Sequence, residues 1–145
     1  LMDYGAGYCD YRSDMTRTVV MGEPTQEQLD LYALVRRTHE ECVAAIHPGV
    51  EGNDIFKLSK KIIGDAGYGD YYNHGLGHGV GIDIHELPNL SVRNPSPLVP
   101  GNVVTVEPGI YIEGKYGCRI EDMVLVTKGG KRNLTNCPKE LIEVL

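Results

Sequence analysis

Asp3, Asp14, His78, Glu107 and Glu121 are metal-ligand residue types set in five separate segments, each among apolar or glycine-rich neighbours where an ionisable group has little structural use. Four carboxylates and one imidazole would make a mostly oxygen shell. Such a shell suits Mn(II), Co(II) or Zn(II) better than a thiolate site would. Two divalent ions would balance the four negative charges and leave water between them as the group to be activated. That chemistry is hydrolysis.

Each candidate has a plainer reading beside it. Glu107 follows the apolar run Val103-Val104-Thr105-Val106 and precedes Pro108-Gly109, so it ends a strand expected to be buried. An unpaired charge there is costly, and a metal is the simplest partner. Glu121 is expected to share one strand face with Arg119, since side chains alternate with period two. An exposed Arg119–Glu121 ion pair explains those two residues equally well, and only the full set of five tips the balance. His74, His78 and His85 lie within twelve residues in a frame with Gly at 75, 77, 79 and 81. The i, i+4 spacing of His74 and His78 raises a zincin helix as a rival. That motif needs Glu directly after the first His, but Gly75 stands there, and the glycines break helix. His39 and His47 belong to a scaffold helix and keep a structural reading.

The elements that must position these residues follow from local signals. Residues 1–22 read as two strands in an antiparallel hairpin that brings Asp3 near Asp14. Thr25 and Gln28 form a capping box that opens a helix with Leu29, Tyr32, Val35, His39, Cys42, Val43 and Ile46 on one face, stopped by Pro48-Gly49. A second helix starts at Asn53, carries Ile55, Leu58, Ile62 and Ala66, and is capped by Gly67. Strands are expected over 79–84, 103–107, 110–113, 119–127 and 140–145, with Asn94-Pro95-Ser96-Pro97 and Pro100-Gly101 in loop.

The 145 residues suit one domain able to bury a sizeable core, with a formal charge of -6 that bound metal would largely cancel. There is no basic stripe for nucleic acid and no apolar run long enough to span a bilayer. Cys9, Cys42, Cys118 and Cys137 are widely spaced without a CxxC pair, and no secretory signal is legible. They read as reduced thiols of a cytoplasmic protein, with a disulfide left open at this level. The chain begins at Leu1 with a proposed ligand at Asp3, and a fraying terminus would hold that ligand poorly. The expectation is a part of a longer protein.

The segments Asp3-Tyr4-Gly5, Asp14-Met15-Thr16-Arg17-Thr18, His74 to Gly81, His85-Glu86-Leu87-Pro88, Glu107-Pro108-Gly109 and Arg119-Ile120-Glu121-Asp122 resemble those of the pita-bread metallopeptidases. That family includes methionine aminopeptidase, aminopeptidase P and prolidase, and the Asp-Met-Thr-Arg-Thr, His-Glu-Leu-Pro and Arg-Ile-Glu-Asp forms place the resemblance in the proline-directed branch. It implies an α+β fold, a curved antiparallel sheet covered by helices, and hydrolysis of Xaa-Pro bonds with two divalent ions, Mn(II) first among them. By position, Asp3 and Asp14 would hold one ion, Asp14 and Glu121 would bridge both, and His78 and Glu107 would complete the second. His85 would contact the substrate, His74 would line its pocket, Arg119 would orient the carboxylates and Glu107 would carry the proton. The substrate implied is a dipeptide or peptide with proline second, and a homodimer is among the arrangements it allows. In the family an N-terminal domain and an earlier helical portion precede the part matched, so residues 1–145 would form part of one catalytic domain. The rivals are a methionine aminopeptidase, an inactive pita-bread binding module, and a metal-free hydrolase of the creatinase type. The full ligand set argues against the last two.

Overall fold

A computed structural model describes residues 1–92 and 96–144; Asn94 and Pro95 of the expected loop and Leu145 of the expected last strand lie outside the described residues. Residues 1–22 form five short strands where two were expected: β1 Met2–Tyr4, β2 Gly7–Tyr8, β3 Tyr11–Arg12, β4 Met15–Arg17 and β5 Val19–Met21. The expected hairpin is nonetheless present, because β1 runs antiparallel to β4 with Asp3 opposite Thr16 and Tyr4 opposite Met15. Gly5 allows the close approach, since a Cβ there would lie 1.9 Å from the Ser13 carbonyl oxygen. At the tip β2 pairs with β3 around Cys9 and Asp10, both with positive φ (48° and 67°), which turns the chain over and divides the expected strands.

Helix α1 spans Gln26–Ala45 and has the expected capping box, with the Gln28 amide donating to Thr25 Oγ1 at 3.3 Å and the Thr25 amide donating to Gln28 Oε1 at 2.9 Å. Its buried stripe runs through Leu31, Val35, Thr38, His39 and Cys42, while Leu29, expected on that face, is exposed. Helix α2 spans Gly52–Asp65 and buries Ile55, Phe56, Ser59, Ile62 and Ile63. Ala66 is exposed, and Gly67 takes the left-handed conformation (φ 86°) that ends the helix. A 3-10 turn over Gly69–Tyr71 follows.

The remaining strands are β6 Gly77–Gly79, β7 Glu86–Leu90, β8 Val103–Val106, β9 Gly109–Ile112, β10 Tyr116–Arg119, β11 Asp122–Thr127, β12 Gly130–Asn133 and β13 Ile142–Val144. Five of them make an antiparallel sheet in the order β12-β11-β8-β6-β7; β9 and β10 form a separate hairpin, and β13 runs parallel to β5. Two expectations are corrected. The strand expected over 79–84 starts earlier, at Gly77, and stops at Gly79, because the chain bends through 81–85 before β7. The single strand expected over 119–127 is two strands in different sheets, broken at Ile120-Glu121, where Glu121 bridges to Thr16 instead. The core lies between the helices and the sheet, with Leu31, Val35, Ile55 and Ile63 packed in one cluster with Leu76, Val104, Val106 and Val124.

Candidate metal centre

Strand register brings the candidate residues to one end of the sheet. Asp122 lies opposite Val106 in the β11–β8 ladder, so the next position along places Glu121 beside Glu107. Gly79 lies opposite Val104 in the β6–β8 ladder, which sets His78 against Thr105; its backbone amide donates to Thr105 Oγ1 at 3.0 Å. Glu121 also bridges Thr16, the partner of Asp3, which attaches the N-terminal hairpin to the same spot.

Asp14, His78 and Glu121 offer ligand atoms that all lie within 4.8 Å of one another. His78 Nε2 lies 3.6 Å from Asp14 Oδ2 and 3.3 Å from Glu107 Oε1. Asp3 stands outside this tight group and is held by Arg119, whose Nη2 donates to Asp3 Oδ2 at 2.5 Å. Arg119 Nε lies 4.0 Å from Glu107 Oε2 and donates to Thr16 Oγ1 at 3.1 Å, and Thr16 in turn donates to Glu121 Oε2 at 2.6 Å. Glu121 is 2 % exposed, so the plain reading of an exposed Arg119–Glu121 pair does not describe it. His85 is exposed, and its ring centroid lies 4.1 Å from that of His78. His74 Nε2 lies 3.0 Å from the Tyr111 hydroxyl, to which Arg119 Nη1 donates at 2.9 Å. His39 is buried in α1, and His47 is exposed with its Nδ1 2.9 Å from the Pro48 carbonyl; both stand apart from these contacts. The zincin rival falls because His78 is in a strand.

The electrostatics fit a cation. Burial, and then the neighbouring Glu107 carboxylate, pushes Glu121 up to about 8, against the lowering effect of the Thr16 hydrogen bond. Asp14 is raised by burial and by Asp3. Burial works against a charge on His78, yet the hydrogen bond to Glu107 and the nearby carboxylates raise it overall. Burial holds His74 below its ordinary value. A buried carboxylate that keeps its proton is short of countercharge even with Arg119 and His78 close by, and a hard divalent ion bound by oxygen and imidazole would supply it. The residues present therefore fit the metal expected from their types.

A cavity of about 850 Å³ opens onto this cluster, lined by His74, His78, Glu107, Tyr111 and Arg119 together with Lys60 and Asn89. Several participants were not singled out from sequence. Thr16, Thr105 and Tyr111 are neutral hydroxyl residues with no spacing signal, although Thr16 and Thr105 sit next to apolar strand residues and are fully buried. Arg17 is also buried; it donates to the carbonyl oxygens of Thr16 (2.8 Å) and Glu121 (2.7 Å) and to Asp122 Oδ1 (2.7 Å). Asp122 accepts further bonds from Asn133 and Lys139, both at 2.6 Å. The adjacency of Asp122 to Glu121 was the available hint, because a second buried carboxylate needs cationic partners.

Carboxylates and an imidazole gathered at a sheet end are the donor set that could hold a divalent metal ion. Residues 1–128 match the model of metallopeptidase family M24, and the chain belongs to that family. It is 43 % identical over 142 residues to the Xaa-Pro dipeptidase of Pyrococcus horikoshii, covering 98 % of this chain and 40 % of that protein. The uncharacterized peptidase YqhT of Bacillus subtilis is 48 % identical over 97 % of this chain and 40 % of its own. Among solved structures, the X-Pro aminopeptidase of Thermotoga maritima superposes with a TM-score of 0.95 at 41 % identity, covering 98 % of this chain and 40 % of the other. The fold is accordingly the pita-bread fold, and the chain spans about 40 % of the length of the relatives it matches.

Proposed function

We propose that this chain is the metal-bearing part of a peptidase that hydrolyses Xaa-Pro bonds, and that its 145 residues belong to one catalytic domain of a longer protein. The observation that carries the reading is the convergence of Asp14, His78 and Glu121, with Glu107 3.3 Å from His78 and both His78 and Glu107 lining the cavity. Two divalent ions, Mn(II) before Co(II) or Zn(II), would be held by Asp3, Asp14, His78, Glu107 and Glu121, with Asp14 and Glu121 shared. When bound, the ions supply a water made nucleophilic near neutral pH. Glu107 takes the proton of the attacking group and passes it to the departing nitrogen. Arg119 keeps Asp3 turned toward the site, His85 donates to the substrate carbonyl and His74 lines the pocket. The names of the relatives, Xaa-Pro dipeptidase and X-Pro aminopeptidase, support the proline preference. Proline suits such a site chemically: the bond before it has no N–H to satisfy, and the ring fixes φ. No helix is long and apolar enough to cross a membrane among the described residues, and the four cysteines are unpaired, in keeping with a cytoplasmic setting.

The test uses the full-length protein. Elemental analysis is expected to return about two divalent ions per chain, and Asp14→Ala is expected to lose most of the metal and the activity, because the shared carboxylate serves both ions. With Mn(II), Xaa-Pro peptides are expected to be cleaved far faster than Met-Ala peptides. Faster release of Met would move the protein to the methionine aminopeptidase branch, and a metal-free, inactive wild type would make it a binding module.

A further inference from the structure

The concave surface extends past the main cavity. A second groove of about 660 Å³ lies between the 3-10 turn Gly69–Tyr71 and the β9–β10 hairpin, and Asn73 and Tyr111 line both cavities. Tyr111 is the residue whose hydroxyl meets His74 and Arg119, so the junction sits at the candidate site itself. A dipeptide, extended over about 7 Å, fits within the main cavity alone, which has the volume of sites that take drug-sized molecules. Only residues after the proline would reach the second groove.

The charge of that groove is one-sided. Asp70 and Glu113 are exposed on its two walls, and neither has an ion partner among the described residues. Lys115, its one cation among the described lining residues, is paired with Glu27 at 3.5 Å. The exposed ring of Tyr71 adds an apolar surface along the same wall. An extended peptide entering from the candidate site would therefore meet net negative charge one or two residues beyond its proline.

Resting on the Xaa-Pro reading above, we propose that this groove binds the residues downstream of proline, so that the protein prefers peptides of three or more residues with a basic residue after the proline over free dipeptides. Binding energy gained away from the reacting bond can be used to orient it, so added length should raise kcat/KM as well as affinity.

The experiment compares Ala-Pro, Ala-Pro-Ala, Ala-Pro-Ala-Lys-Lys and Ala-Pro-Ala-Glu-Glu with the full-length, Mn(II)-loaded protein. We expect kcat/KM to rise about tenfold from the dipeptide to the lysine peptide, and the lysine peptide to exceed the glutamate one by about three- to fivefold, the upper range of an exposed charge pair. The double variant Asp70→Asn with Glu113→Gln should bring the two charged peptides within about twofold and leave Ala-Pro cleavage unchanged. Both residues are exposed and outside the metal cluster, so folding should be unaffected. Calorimetric titration with Pro-Ala-Lys-Lys and Pro-Ala-Glu-Glu reads the same preference without hydrolysis. Ala-Pro cleaved as well as the longer peptides, or a lysine preference that survives the double variant, overturns the groove and leaves the Xaa-Pro reading standing. No Xaa-Pro cleavage, with the lysine preference retained in the titration and lost in the variant, overturns that reading and keeps the groove.

Discussion

Thr16 shows how much of the candidate site depends on single atoms. Its hydroxyl donates to Glu121 Oε2 at 2.6 Å and accepts from Arg119 Nε at 3.1 Å, while its backbone faces Asp3 across the β1–β4 ladder. One side chain thereby spaces a buried carboxylate from the guanidinium that holds an exposed one. His85 has a different standing, because its ring packs on that of His78 and is itself exposed. His85→Ala is therefore expected to lower turnover by roughly a hundred- to a thousandfold, the usual loss of a donor to a developing charge, while metal content stays near wild type. Steady-state kinetics beside elemental analysis check this. A variant that arrives metal-free would make His85 a ligand.

At the scale of elements, β6 is only three residues long, yet it carries His78 between two neighbouring strands. It can lie so close because a Cβ at Gly77 would meet the Thr105 carbonyl oxygen at 2.0 Å, and one at Gly79 would meet Leu87 oxygen at 2.5 Å. Gly77→Ala must push β6 away from β8 and move His78 off Thr105. We expect a loss of about 1–3 kcal/mol in denaturant unfolding and weaker metal binding in titrations. Gly129→Ala, where a Cβ meets nothing within 4 Å, is the control and should be close to neutral. Equal stability of the two variants would mean that β6 does not need its glycines.

At the scale of the whole molecule, α1 sets a buried histidine against the polar network that stands behind the site. His39 in α1 is 1 % exposed, with Nε2 3.5 Å from Asp122 Oδ2, and Asp122 is anchored to Arg17, Asn133 and Lys139. Burial pushes His39 down to about 4; Asp122 and Glu40 act to raise it, and Lys139 and Arg17 to lower it. In the unfolded chain its pKa is about 6.5. Above that pH both states are neutral and the protein has its full stability from this group. Below it the unfolded state gains a proton that the folded state refuses, so stability falls as pH drops from about 6.5 toward 4. By pH 5 the loss would be about 2 kcal/mol. Thermal unfolding at pH 7.5 and 5 should show wild type losing more than His39→Gln; equal losses would show that His39 takes up its proton when folded.

The donor types, the two helices and the break of helix around His78 were legible in the amino acids, because each rests on signals a few residues long: a capping box, a three-and-four spacing, a run of glycines. The same local reading assigned a hydrolytic metal centre and a family resemblance, and the family was borne out. Where strands begin and end was less legible, since the 119–127 segment reads as one apolar strand until Glu121 is seen to leave it for Thr16, 105 positions away. Thr105 and Tyr111 carried no signal of their own, and Arg17 only its place in the Asp-Met-Thr-Arg-Thr motif, because a hydroxyl or guanidinium becomes part of a site only through the neighbours that packing brings to it. Which carboxylates gather with His78, and which one is left at the rim with Arg119, was decided by the registers of β1 on β4, β6 on β8 and β8 on β11. Those registers depend on burying whole faces of the sheet against α1 and α2, a condition no single segment contains.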